Sequence, residues 1–203
     1  MPPVLHDPES LLVRPGVELR GPEGWDVVFG RRAPLEVEVG FGRDEGLLRR
    51  AAAAPGRDFL GVDLRRDRVR TYLGRAAREG LANLRVVEGR AEVVLGVLLP
   101  AGRASTVRIE FPDPWPKDRH AGHRLIRPFF LREVRRVLEP GGLLLIATDD
   151  PAYGEEMRAA AAEAGGFEGI DAERNGDDAT TIFERRGIAE GRPILRLRYR
   201  RLP

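Results

Sequence analysis

Residues 111 to 117 read Phe-Pro-Asp-Pro-Trp-Pro-Lys, and Asp113 within them is the group most clearly set up for chemistry. Proline fixes its own φ and keeps the residue before it out of the helical region. Pro112 and Pro114 therefore hold Asp113 and Trp115 with little freedom. A carboxylate fixed in this way stabilises positive charge that develops on a ring as it is alkylated. It also accepts from N–H donors on the edge of a base. Trp115 can stack on a base or pack as loop support, and Lys117 and Arg119 suit phosphates.

A second set of residues lies earlier. Leu35 to Val39 reads as a short strand that runs into Gly40-Phe41-Gly42-Arg43-Asp44. Arg57 to Asp63 reads as the next strand. In open α/β sheets ligands bind beyond the carboxyl ends of the strands, where Glu38, Gly40 and Asp63 fall. Glycine there admits a ligand close to the backbone, and an acid ending the second strand can take ribose hydroxyls. The turn lacks the spaced third glycine that pyrophosphate binding prefers, and Asp44 and Glu45 would repel a pyrophosphate. Glu38 can instead accept from an ammonium group, so a methyl donor with a methionine moiety is favoured over a nicotinamide cofactor. Glu36 is expected on the wet face of its strand.

The elements that must position these groups follow from periodicity. After an irregular N-terminal arm over residues 1–34, strands and helices alternate. Helices are expected near Asp44 to Ala53, around Val69 to Ala77, near Glu92 to Leu99, through Ile126 to Leu138, and near Tyr153 to Ala164. Strands are expected at Asn83 to Val87, Thr106 to Phe111 and Leu143 to Thr148, the last almost wholly apolar as a buried central strand should be. Two more are expected near Thr180 to Arg185 and Pro193 to Arg200, paired antiparallel because no helix separates them. The pattern is an α/β doubly wound, Rossmann-like sheet over residues 35–203, mostly parallel with an antiparallel last strand.

Composition narrows the classes further. The chain has 203 residues and no cysteine, which excludes disulfides, thiolate catalysis and cysteine-ligated metals. No metal is expected to be required. No apolar run approaches a membrane span, and the first thirty residues lack a leader-like pattern, so a soluble cytoplasmic protein is expected. Net charge is only +2, and Lys117 is the sole lysine among 34 basic residues. Between Lys117 and Arg136 seven basic residues face two acids, with His120 and His123 beside them. Such clustering suits a phosphate backbone, and a solvated helix face would show the same pattern. Arg196, Arg198 and Arg200 share one face of the final strand and form a second basic set.

Taken with Trp25, Phe29-Gly30-Arg31, Ala33-Pro34-Leu35, Gly61-Val62-Asp63, Asn83 to Val86, Ala147-Thr148-Asp149, Thr181 to Glu184 and Gly187, these motifs resemble the bacterial tRNA (guanine-N7-)-methyltransferase family. The resemblance covers nearly the whole chain after about residue 25, and the run from Phe111 to His120 is its most specific part. It implies a class I methyltransferase fold, S-adenosylmethionine as cofactor, and tRNA as partner, methylated at a variable-loop guanine (position 46). By position, Glu38, Gly40 and Asp63 would hold the cofactor, and Asp113 would be catalytic and also touch it. Lys117, Asp149, Thr181 and Glu184 would contact the substrate, although Asp149 could instead cap a helix. The family reading leaves monomer and homodimer open. Three departures stand out. Arg90 replaces an acid that would read the adenine, Asp44 replaces a turn glycine, and Asp118, Gly122 and His123 dilute the basic run. They motivate two alternatives: a related methyltransferase acting on another RNA, or a catalytically silent RNA-binding relative.

Overall fold

Leu35 to Val39 and Thr106 to Glu110 alternate apolar with polar or charged residues, and this decides which face of the sheet carries buried charge. In the computed structural model, which describes residues 7–14, 19, 23–170 and 181–203, seven strands form one sheet in the order β3-β2-β1-β4-β5-β7-β6. They are β1 (Leu35–Val39), β2 (Asp58–Asp63), β3 (Leu84–Glu88), β4 (Ala104–Glu110), β5 (Leu138–Thr148), β6 (Phe167–Gly169) and β7 (Leu195–Arg201). The first five run parallel, and β7 lies antiparallel to both β5 and β6. Crossovers are made by α2 (Gly46–Ala53), α3 (Arg66–Glu79), α4 (Ala91–Val93), α5 (Pro128–Val137) and α6 (Pro151–Ala164). The doubly wound fold with its antiparallel last strand is as expected.

On one face, Leu60, Val37, Val107 and Leu144 lie in register across β2, β1, β4 and β5. They join the larger apolar core with residues of α5 and α6 such as Phe130, Leu131, Val134 and Met157. On the opposite face the corresponding row is Gly61, Glu38, Arg108, Leu145 and Arg198. A second core of α2 and α3 side chains, including Leu47, Leu48, Val69 and Tyr72, packs against Phe59, Leu84 and Val86 on that side. A one-residue slip would exchange the two faces, so register alone commits the charged residues to a shared layer.

Within the N-terminal arm, a 3₁₀ turn spans Pro8–Leu11 and α1 spans Gly24–Phe29. Leu12 bridges to Val86 beside β3, and the fully buried Trp25 donates to the Leu98 carbonyl at 2.9 Å. That carbonyl ends a π-helical stretch, Val94–Leu98, which continues α4. No helix among the described residues is long and apolar enough to cross a membrane.

Two expectations require correction. The strand expected near Thr180 to Arg185 is a helix, α7 (Ile182–Ala189); Thr180 itself lies outside the described residues. The Thr181 hydroxyl accepts the Glu184 N–H at 3.0 Å, which satisfies one of the unpaired amides of the first turn. The antiparallel partners of β7 are therefore β5 and β6. Of the arginines on β7, Arg196 and Arg198 are half-buried and Arg200 is exposed, although β6 covers the strand from Tyr199 to Arg201.

Candidate active site

Four groups with chemical potential stand at the carboxyl ends of parallel strands. Gly40 follows β1 with φ +75°, and a Cβ built on it would meet nothing within 4 Å. The backbone there is left-handed, which glycine tolerates, and it faces open space. Gly42, at φ +62°, donates its N–H to Asp63 Oδ2 at 3.1 Å. Asp63 Oδ1 accepts from the Arg65 N–H at 2.8 Å. The acid at the end of β2 is thus oriented by two backbone amides and joined to the glycine turn.

Glu38 is buried, and its environment differs from an open acceptor. Its Oε2 pairs with Arg50 on α2, whose Nε also binds Glu36 Oε1 at 2.8 Å. Arg108 Nε lies 3.4 Å from the same Glu36 oxygen, and Arg108 Nη1 lies 2.8 Å from Glu110 Oε1. Glu36, expected on a wet face, is covered by these two guanidiniums and is buried with them. Burial pushes the Glu38 carboxyl above its usual range, with Arg50 the main force holding it down. Burial works against the charge of Arg50, yet Glu38, Glu36 and Glu110 together raise its pKa. Arg108 and Glu110 share a recess with Glu184, Arg196 and Arg198, so the layer holds four carboxylates and four guanidiniums. A carboxylate such as Glu38 accepts from an ammonium or other N–H donor and offers nothing to a pyrophosphate.

Asp113 is exposed, in the loop after β4. The two non-glycine residues with positive φ among those described are Phe111 (φ +50°) and Trp115 (φ +45°), on either side of Pro112-Asp113-Pro114. Such conformations cost of order 1–3 kcal/mol each and persist where surrounding contacts impose them. Here the contacts are identifiable. The Phe111 N–H donates to Ala147 on β5 at 2.8 Å. Arg124 donates from Nε to the Pro114 carbonyl at 2.8 Å and from Nη2 to the Trp115 carbonyl at 3.1 Å. Arg124 is itself held by Glu156 and by the Tyr153 ring, 5.5 Å beneath its guanidinium. Trp115 is 38% exposed, with the imidazoles of His123 and His120 at 5.0 and 5.7 Å. Lys117 is exposed at the start of the 3₁₀ segment Asp118–His123.

The remaining expected residues gather on and around α7. Glu184, expected on a strand, sits in the first turn of this helix, is buried, and pairs with Arg196 of β7. Asp149, after β5, pairs with Arg192 just beyond α7. It does not cap the next helix; Asp150 does, accepting the Tyr153 N–H at 2.9 Å. Phe183 stacks on Phe111 at 6.2 Å. The start of α7 also contacts the glycine turn, because Asp44 Oδ2 accepts the Ile182 N–H. Helix α7 therefore joins the glycine turn, the Asp113 loop and the ends of β5 and β7.

Arg90, where an acid was expected, precedes α4 without a side-chain capping bond, is exposed, and donates to Glu92 at 3.1 Å. Sequence reasoning passed over Arg50, Arg108, Glu110 and Arg124. The i, i+2 spacing of Glu36/Glu38 and Arg108/Glu110 was a usable signal, since it places both pairs on one face of their strands. Arg196 is engaged with Glu184, which sets it apart from a generic basic edge.

The family model described as "Putative methyltransferase" matches residues 32–197. A tRNA (guanine-N(7)-)-methyltransferase from Nitrosococcus oceani is 40% identical over 95% of this chain and 83% of its own length. One from Halorhodospira halophila is 40% identical over 96% and 87%. The chain belongs to the tRNA (guanine-N7-)-methyltransferase family. Solved structures agree on the fold. The 16S rRNA methyltransferase KamB superposes with a TM-score of 0.64 at 18% identity, covering 90% of this chain and 94% of that one. The 16S rRNA (adenine(1408)-N(1))-methyltransferase from Catenulisporales acidiphilia gives 0.64 at 23%, over 90% and 94%. Family membership fits the site's construction, in which a stiffened carboxylate follows the strand beside the glycine turn.

Proposed function

We propose that this chain transfers a methyl group from S-adenosylmethionine to N7 of guanine in tRNA, at position 46 of the variable loop, and works in the cytoplasm. The observation that carries the reading is Asp113, held between two left-handed residues at the end of β4, next to the glycine turn of β1. The tRNA substrate rests on the relatives' names.

Glu38, Gly40 and Asp63 are the residues to hold the cofactor, with Asp113 touching it from the β4 side. When bound, S-adenosylmethionine supplies an electrophilic methyl group on a sulfonium. Guanine N7 already carries a lone pair in the ring plane, so no side chain has to remove a proton before transfer. What this chain must do is orient the base and compensate the positive charge that develops on it. Asp113 does so electrostatically, with its geometry set in advance by Pro112, Pro114 and Arg124. Its carboxylate and that of Glu184 can accept base N–H donors, and pairing of Glu184 with Arg196 aims that acid. Thr181 and Asp149 line the same side, and Lys117 meets phosphate at the outer rim.

The test is Asp113→Ala. Loss of one preorganised electrostatic group costs about 10²–10³ in rate, so methylation should become barely detectable. Because Asp113 is exposed, the thermal midpoint should stay unchanged. Near-normal turnover in the folded variant would refute the assignment.

A further inference from the structure

Asp44 is bound at both carboxylate oxygens, and the two bind different parts of the molecule. Oδ1 accepts the N–H groups of Glu45 at 2.7 Å and Gly46 at 3.2 Å, which fixes the entry to α2 directly after the glycine turn. Oδ2 accepts the N–H of Ile182, 138 positions away, at the first residue of α7. The side chain is only 13% exposed, and Arg49 lies 3.7 Å away. The amides of a helix's first turn lack partners within the helix, and a carboxylate there is stabilised by the helix dipole. Two other contacts hold the same turn of α7: Glu184 pairs with Arg196 of β7, and Phe183 stacks on Phe111, which joins the helix to the loop of Asp113. Ile182 and Phe183 are half-exposed while Thr181 and Glu184 are buried, so only one side of this end of the helix is held by packing, and the Asp44 bond fastens the other.

We propose that Asp44 is a positioning residue that fastens α7 to the glycine turn, so that the cofactor side and the guanine side of the site are assembled as one unit. The inference rests on the functional reading above, in which the turn holds the cofactor and Thr181 and Glu184 on α7 meet the base. Whatever orders the turn then orders α7. By linkage, a ligand seated against α7 strengthens binding at the turn by the same factor. Asp44 is also one of the positions that departs from the family pattern. Its carboxylate makes a connection that glycine, having no side chain, cannot make.

Asp44→Asn separates the two functions of the carboxylate. Asparagine retains one carbonyl oxygen for the α2 amides and presents an NH₂ donor to the Ile182 N–H. Hydrogen exchange of residues 182–189 and 46–53 should be followed in wild type and variant, with and without S-adenosylhomocysteine as the probe. In the cofactor-free variant we expect exchange in α7 to be faster by about tenfold or more, as loss of a charge-assisted bond implies, with α2 unchanged. The probe should protect both segments in wild type but only the turn and α2 in the variant. KM for tRNA should rise while the dissociation constant of the probe stays within about twofold, a split in line with loss of positioning alone. Unchanged α7 exchange in the variant overturns the proposal. So does a loosened α7 with unaltered KM, which would make Asp44 a structural cap only. If the probe protects nothing in wild type, the cofactor reading itself falls. The cofactor-free comparison tells that failure apart from a failure of the Asp44 tether.

Discussion

Replacing Arg50 with methionine tests the buried charge network directly. The side chain is 9% exposed and bridges Glu36 at 2.8 Å and Glu38. Removing one partner of a buried ion pair strands the other and costs about 3–5 kcal/mol. In a chain of this size each kcal/mol lowers the melting temperature by about 2–4 °C, so the variant should melt roughly 6–20 °C lower at neutral pH. The deficit should depend on pH, and its sign follows from Glu38. Burial already raises that carboxyl, and Arg50 is the largest influence lowering it, so the substitution raises it further. A carboxyl with a raised folded pKa binds more protons in the native state than in the unfolded one. Its contribution is fully present below the unfolded value and is lost as pH rises through the folded value. The gap between variant and wild type should therefore be small near pH 4.5 and widen towards pH 8. Urea denaturation across that range measures it. A deficit below about 1 kcal/mol at pH 7.5, or one that does not change with pH, would refute the reasoning.

Two further predictions concern the Asp113 loop and its rim. Arg124→Met removes the donors to the Pro114 and Trp115 carbonyls, so single-turnover methyl transfer should slow by about 10²-fold while cofactor affinity changes little. A full-rate variant would show that the prolines alone suffice. Lys117→Gln should weaken tRNA binding and reduce the slope of log Kd against log salt by about 1. Lys117→Arg, which keeps the charge, should restore that slope but need not restore the rate. An unchanged slope in the glutamine variant would remove Lys117 from the RNA interface.

Local chemistry makes much of the site legible in the sequence. The glycines at 40 and 42 mark a turn after a strand where the backbone can approach a ligand, and Pro112 and Pro114 mark a stiff carboxylate at Asp113. Both features depend on neighbouring residues alone. The residues from Thr181 to Glu184 misled because Ile182 and Phe183 are strand formers by composition. The overlooked signal was Thr181 with Glu184 three positions on, a spacing that marks a helix start. Glu36 was misjudged for a different reason. An acid on an alternating strand reads as solvent-facing until register sets Glu38 beside Arg108 and α2 brings Arg50 over both. Sign complementarity between Glu36 and Arg108, 72 residues apart, is a tertiary property, and so is the reach of Asp44 to Ile182. Sequence position alone could mark Asp44 as unusual without indicating what it touches.

The central claim is methyl transfer to guanine N7, and the most direct measurement is to incubate the protein with labelled S-adenosylmethionine and unmodified tRNA and then analyse the nucleosides. The account predicts label in N7-methylguanosine alone, mapped to position 46, and absent from tRNA in which that guanine is replaced. Label in a methylated adenosine, in a guanosine modified elsewhere on the ring, or in no nucleoside at all would contradict it.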